Sequence, residues 1–369
     1  MILMRFQTSF AVAMVPFALV LPAQAQSVSE SLTVEREADE SAQVELPEAK
    51  QVPTTNVEPI SRTPAVISLI TENDLFGGTD RNYTNGLRAE RYSGAKRAPG
   101  ILRSASIIFP FIDVDQYEIR QGYGLAHAIY TPEDIEAEIP DPTDQPYAGW
   151  LYVSSSVVAV AKNRLDRHAL QLNVGVIGPS AGADFVQTNW HEMIDGKEPR
   201  GWAYQLDDEL GVELIGERVR RIKKTNLGPF EIDSALHGSL TLGNVNTHGA
   251  AGGMARIGFD LDADFGPPRI RPSIGGAGTY NPNDDFGGYL FFGAEGRYVV
   301  RNIFLDGNTF DDDGPHVTGR HRWVGDVQGG IAVNLGAVQA AFTYVHRTEQ
   351  YKAQDGASRF GALSVSLAY

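Results

Sequence analysis

The 369-residue chain has no cysteine, which excludes disulfides, thiolate nucleophiles and thiolate metal sites. It is poor in cations: 31 Lys and Arg stand against 46 Asp and Glu, a net charge of −15. A chain so acidic lacks the basic surface that nucleic-acid partners require, and it does not meet lipid through a general polybasic attraction. After the N-terminal segment it also has no apolar run near the roughly 20 residues that a membrane-spanning helix needs.

What is present starts with an export signal. Residues 1–25 carry one early cation, Arg5, then the apolar run FAVAMVPFALVL and the small-residue exit PAQAQ. That order of features is a signal peptide with cleavage after Ala25 in an Ala-x-Ala pattern. Residues 26–63 read as a disordered acidic tether. Within 27–62 there are eight acidic residues, three basic ones, three prolines and no aromatic, too little apolar surface to offset chain entropy.

From residue 64 to 369 a period of two dominates. In HALQLNVGVIG, Leu170, Leu172, Val174 and Val176 share one face, and Ala169, Gln171, Asn173 and Gly175 the other. In EIDSALHGSLTLGN, Ile232, Leu236, Leu240 and Leu242 oppose Asp233, His237, Ser239 and Thr241. The closing GALSVSLAY sets Leu363, Val365, Leu367 and Tyr369 against Ser364, Ser366 and Ala368. Alternation of this kind marks strands with one apolar and one polar face. A soluble sandwich would turn the apolar face inward, and a transmembrane barrel would turn it into lipid. Polar faces built from Ser, Thr, Gly, Asn and Gln, segments of ten residues or more, and the terminal aromatic favour the barrel. Twelve strands are expected, at 64–73, 84–93, 116–128, 148–160, 167–177, 202–221, 229–243, 247–260, 286–301, 319–334, 337–349 and 358–369. The fold class is therefore all-β, a closed antiparallel transmembrane barrel in the bacterial outer membrane. The even count puts both termini on the periplasmic side, and the loops 74–83 and 178–201 on the extracellular rim.

Segment 178–201, GPSAGADFVQTNWHEMIDGKEPRGW in its wider context, is the one helix expected. Ser180 is placed as its N-cap and Gly196 in the left-handed position past its end, with an apolar stripe of Val186, Trp190, Met193 and Ile194. His191 lies beside that stripe. The rim loop ENDLFGGTDRNYTNGLR crowds Asn73, Asp74 and Thr84 around two turn-forming dipeptides, Gly77-Gly78 and Asn85-Gly86. Taken alone, Asn73-Asp74 reads as an Asx turn, Thr84 as a strand-starting residue and His191 as structural. Tyr147, Trp150 and Tyr152 of QPYAGWLY read as an aromatic girdle at the membrane interface. Trp202 and Gln205 are expected to pack or hydrogen-bond beneath the helix. DGNTFDDDGPH near 306–316 reads as an acidic barrel loop, because it lacks the glycine and closing glutamate of a calcium-binding EF-hand.

The blocks ENDLF…TDRNYTNGLR, AIYTPEDI, QPYAGWLY and VGVIGPSAGADFVQTNWHEMI…EPRGWAYQLDDELG, in this order, resemble the outer-membrane lipid A deacylase family from about residue 65 to the C-terminus. The resemblance implies a twelve-stranded barrel that uses calcium to remove the 3′-acyloxyacyl group of lipid A. It carries the family's Asn-Asp pair onto Asn73 and Asp74, its threonine onto Thr84 and its catalytic histidine onto His191. The family's lysine has no counterpart, and His127 stands in the comparable region.

The chemistry is that of an ester opened by water. An imidazole, which titrates near neutral pH, takes the proton from water at His191, with Asn73 or Asp74 orienting it. Calcium, a hard ion seeking oxygen, polarises the carbonyl. Asp74, Thr84, backbone carbonyls and Glu198 are the oxygens on offer, and Glu198 is the metal ligand singled out. The expected partners are lipid A or lipopolysaccharide and outer-membrane lipids, with the chain as a monomer. The competing readings are a non-catalytic pore or scaffold, and an esterase of the same fold acting on another acylated lipid.

Overall fold

The computed structural model describes residues 63–78, 82–95, 116–270, 276, 278–283, 286–311 and 313–369. The segments expected to be a signal peptide and an acidic tether, residues 1–62, and residues 79–81 of the first rim loop lie outside them.

Twelve strands close into one antiparallel barrel in chain order. They are β1 (Val66–Asn73), β2 (Asn82–Tyr92), β3 (Tyr117–Thr131), β4 (Ala148–Ala161), β5 (Asp166–Ile177), β6 (Glu209–Leu227), β7 (Phe230–Gly243), β8 (Asn246–Phe259), β9 (Phe286–Asn302), β10 (Trp323–Leu335), β11 (Val338–Arg347) and β12 (Ser358–Ala368). β1 pairs with β12 from Val66–Ala368 to Asn73–Gly361, so no edge strand is left open. Ala65 and Tyr369 exchange backbone hydrogen bonds, which sets both ends of the barrel sequence at one rim.

The alternation resolves as the barrel reading requires. Leu363, Val365 and Leu367 are exposed on the outer face while Ser364 and Ser366 are buried inside. Ser68 of β1 meets Ser366 across the closing seam, Oγ to Oγ at 2.7 Å. The outer face carries Leu69, Leu125, Val153, Leu172, Leu214, Leu240, Leu290 and Phe292, all exposed. An apolar surface of this extent needs lipid around it.

The lumen is packed with paired charges. Arg167 meets Glu217, His237 bridges Glu217 and Glu295 at 3.2 Å each, and Asp326 sits between Arg297 at 2.5 Å and Arg347 at 2.9 Å. A charge so deeply buried is tolerated when it is paired and hydrogen-bonded. Near the rim remote from the termini remains a cavity of about 40 Å³ between Tyr83, Tyr130, His248 and Arg297, room for a few ordered waters.

Three expectations are corrected. β6 begins at Glu209 rather than near 202, because Gly201–Tyr204 forms a 3-10 turn that tucks Trp202 inward. β10 begins at Trp323 rather than 319. Tyr147, Trp150 and Tyr152 are not an interface girdle: all three are buried, and Trp150 stacks on Tyr152 at 3.9 Å and packs near Phe304 within the barrel mouth.

Candidate active site on the outer wall

Asn73 ends β1 on the outward face. Its Oδ1 accepts a hydrogen bond from the Leu75 N–H at 2.8 Å, opening a 3-10 turn over Asp74–Gly77 that Gly78 closes at φ 74°. The Asx turn is thus real, and its effect is to sink Asp74 to 2% exposure while lifting Leu75 and Phe76 outward. Phe76 anchors the turn edge-on against Phe342, ring centroids 5.6 Å apart.

Thr84 is set by a β-bulge. Tyr83 pairs with Tyr130 and Asn85 with Ile129, so Thr84 is the extra residue of β2. Asn82 enters this strand at φ 67°, a conformation that asparagine tolerates better than most residues. Bulges of this kind re-aim a side chain. Here the Thr84 hydroxyl lies 2.6 Å from that of Thr131, itself fully buried. Through register, Asn73, Asn85, Ile129 and Gly149 form one row across β1 to β4, neighbours standing about 4.8 Å apart. Leu69, Leu87 and Leu125 show that this is the lipid-facing side of the wall.

Helix α1 (Ala183–Ile194) lies against this row over β3 and β4. Gly149 admits it: a Cβ there would stand 2.5 Å from the Cβ of Ala183. Ala183 packs with Ile129, Ile135, Tyr147 and Trp202, and the Trp202 indole N–H donates to Gln187 Oε1 at 3.0 Å. Trp202 therefore does sit beneath the helix. The caps differ from expectation. Gly182 is the N-cap and Asp195, at φ 55°, takes the left-handed closing position, while Ser180 lies in the preceding 3-10 turn Pro179–Ala181.

The helix is amphipathic with an inverted sense. Its wall-facing side is Ala183, Gln187 and His191, and its outer side exposes Phe185 (70%), Val186, Trp190, Met193 (57%) and Ile194. His191 is 7% exposed. Its Nδ1 lies 2.5 Å from the Lys197 carbonyl oxygen, which only accepts, so Nδ1 carries the proton and Nε2 is left as an acceptor. His191 and the Asn73–Thr84 corner are brought onto the same outer face, linked by packing of Ala183 on Ile129.

The other candidates are placed differently. His127 of β3 is half-buried, with Nε2 3.1 Å from the Ala181 carbonyl oxygen, so it fastens the turn leading into α1. Glu198 is largely exposed and pairs with Arg200 at 3.0 Å. Among the described residues no three His, Cys, Asp or Glu side chains converge to hold a metal. The corner does hold the Asp74 carboxylate, the Thr84 hydroxyl, which is paired with Thr131, and the carbonyls of Asp74 and Leu75, which accept the Gly78 N–H and keep a second lone pair each. An all-oxygen set of this kind fits calcium in its chemistry.

One motif escaped the sequence reading. Gly178-Pro179-Ser180-Ala181-Gly182 has Gly-x-Ser-x-Gly spacing between β5 and α1, the context in which a nucleophilic serine is sought. Ser180 gives its hydroxyl to Asp208 Oδ2 at 2.6 Å and its N–H to Oδ1 at 2.7 Å. No imidazole is on that hydroxyl, and the pair ties the turn to the chain leading into β6. Asp306 of the acidic loop, likewise, is occupied by Arg320 at 2.6 Å.

A family model described as "Outer membrane protein LpxR" matches residues 12–369. The fold is similar to that of LpxR from Salmonella typhimurium, with a TM-score of 0.66 at 18% identity, over 82% of this chain and all of that one. The β domain of the Bordetella autotransporter BrkA is a more distant likeness, TM-score 0.40 at 11% identity, over 83% of this chain and 98% of that one. No curated protein matches the sequence.

Proposed function

The chain belongs to the family of the outer membrane protein LpxR, and from that premise we propose that it is a lipid A deacylase, hydrolysing the ester of the 3′-acyloxyacyl group. The observation that carries the reading is the inverted helix: α1 turns a buried histidine toward the outer, lipid-facing side of the wall and an apolar flank away from it. A substrate would reach His191 sideways from the outer leaflet, without entering the packed lumen.

In this reading a water molecule gives a proton to Nε2 of His191 as its oxygen attacks the acyl carbonyl. The Lys197 carbonyl, holding Nδ1–H, fixes the tautomer and steadies the imidazolium. Collapse of the tetrahedral intermediate breaks the bond to the sugar oxygen, which takes the proton back from Nε2. The products are a free acyloxyacyl acid and a lipid A alcohol. Asp74, Thr84 and the turn carbonyls would hold calcium, and Glu198 would join them only by releasing Arg200. When bound, the ion supplies stabilisation of the oxyanion. Asn73 shapes the turn that presents these oxygens.

Mass spectrometry of lipid A from cells with and without the gene tests the proposal. Loss of one acyloxyacyl unit supports it. Unchanged lipid A beside a folded barrel would favour a non-catalytic pore or scaffold, or an esterase of another acylated lipid.

A further inference from the structure

The connection that follows β8 does not stay at the terminal rim. Its residues Leu261, Ala263, Phe265, Arg269 and Ile270 are all buried. At its base, Arg256 of β8 pairs with Asp264 at 2.5 Å and Arg221 gives hydrogen bonds to the carbonyls of Leu261 and Asp264 at 3.1 and 3.0 Å. Farther on, Arg269 Nε meets Glu72 Oε1 at 3.1 Å, its guanidinium donates to Gln328 Oε1 at 2.8 Å, and the Ile270 N–H donates to the same Glu72 oxygen at 3.0 Å. Glu72 is the seventh of the eight residues of β1, six beyond Val66 and so about 20 Å up the wall. The segment therefore climbs through the lumen from the rim of the termini nearly to the opposite one.

We propose that Asp260–Ile270 is a luminal plug and that Arg269, through Glu72, is a positioning residue for Asn73 and Asp74. Glu72 points inward and Asn73 outward from adjacent positions of one strand. Whatever fixes the Glu72 carboxylate from inside fixes the last peptide before the turn that carries the outer site. Both partners are 1% exposed at the side chain, so removing the cation alone leaves a buried carboxylate that must move to find solvation. That movement shifts the strand end. The wall is one strand thick, which lets a contact in the lumen govern a site on the lipid side. The positioning half of this inference rests on the deacylase reading; the plug half does not.

The experiment uses the full chain, purified as a folded barrel, and has two arms. The absence of native cysteine allows Glu72→Cys with Arg269→Cys to be bridged by a short bifunctional thiol reagent. The plug predicts an intramolecular crosslink, absent from each single-cysteine variant; no crosslink in the folded double variant overturns it. In the second arm, lipid A turnover is measured for Arg269→Met, Arg269→Lys and the pair Glu72→Gln with Arg269→Met. Positioning predicts that kcat falls about tenfold or more in Arg269→Met with KM within twofold, and that Arg269→Lys and the charge-neutral pair recover most of it. An unchanged kcat, or a loss expressed only in KM or in the folded fraction, overturns the positioning role. If the wild type removes no acyl chain, the deacylase reading fails, and the crosslink alone decides the plug.

Discussion

Gly149 of β4 lies so close beneath Ala183 of α1 that a methyl group on the glycine would stand 2.5 Å from the alanine Cβ and 3.0 Å from that of Ala181. The seating of the helix depends on that missing side chain. Gly149→Ala is expected to lift α1 from the wall and lower lipid A turnover about 10- to 100-fold, the range for a misplaced catalytic group. Adding Ala183→Gly removes the opposing methyl and restores much of the loss. Turnover assays on both variants, with heat-modifiable mobility as the folding control, decide it. Equal activity in Gly149→Ala and wild type would show that the helix position is not critical.

Thr84 and Thr131 share a buried hydroxyl pair at 2.6 Å. Thr84→Val keeps the shape and leaves the Thr131 hydroxyl without this partner, at a cost of about 1–3 kcal/mol. Thr84→Ser keeps the bond. Turnover is expected to fall at least tenfold in the valine variant and to stay within a fewfold in the serine variant. A serine variant that loses activity while the valine variant keeps it would make the methyl group, rather than the hydroxyl, the important part.

The oxygen donors around Asp74 predict a dependence on calcium. Chelation should reduce turnover by at least about 100-fold, since such an ion supplies several kcal/mol of transition-state stabilisation, and added calcium should restore it. Asp74→Asn should raise the calcium concentration required for half-maximal rate. Turnover that persists undiminished in chelator removes the metal from the mechanism.

Asp260, at the foot of the plug, has its carboxyl pushed above the usual aspartate range by burial and then by the neighbouring carboxylates Glu231, Asp264 and Asp262. A raised pKa means that the ionised form destabilises the folded state: its favourable contribution is present below the unfolded value of 3.8 and is lost as pH rises through the folded value. Asp260→Asn, which also suits the left-handed φ of 54° there, should therefore raise the thermal midpoint at neutral pH. The advantage should vanish as the pH is lowered toward 4 and the wild-type carboxyl takes up its proton. A constant difference at all pH values would assign the effect to something other than charge.

The strands were legible because the barrel presents lipid on one side and a polar lumen on the other, so Leu363, Val365 and Leu367 alternate cleanly with Ser364 and Ser366. Alternation fails where both faces are apolar. In GWLYVSS, Trp150 and Tyr152 face the mouth interior while Leu151 and Val153 face outward, and nothing in the pattern says which pair meets lipid. β6 starts later than its sequence pattern suggests because Trp202 and Leu206 mimic a strand while serving as buried anchors of the helical loop. Ser180 does not cap α1 because Asp208 takes both its hydroxyl and its N–H.

The site was legible as residue types, through motif order, and not as geometry. The bulge at Thr84 follows from a register shift between β2 and β3, which no single strand's sequence displays. The outward apolar flank of α1 runs against the rule for water-facing helices, and only its place on the wall explains it. The climb of Arg269 to Glu72 joins residues 197 positions apart, beyond the reach of any local signal.

The most direct test of the central claim is mass spectrometry of purified lipid A after incubation with the wild-type barrel and with His191→Ala, both in detergent with calcium. The wild type is predicted to release the 3′-acyloxyacyl acid, and His191→Ala to be slower by at least about 100-fold while still migrating as a folded barrel. Equal release by the two proteins, or none by the wild type, would contradict a water activated by this histidine on the outer face of the wall.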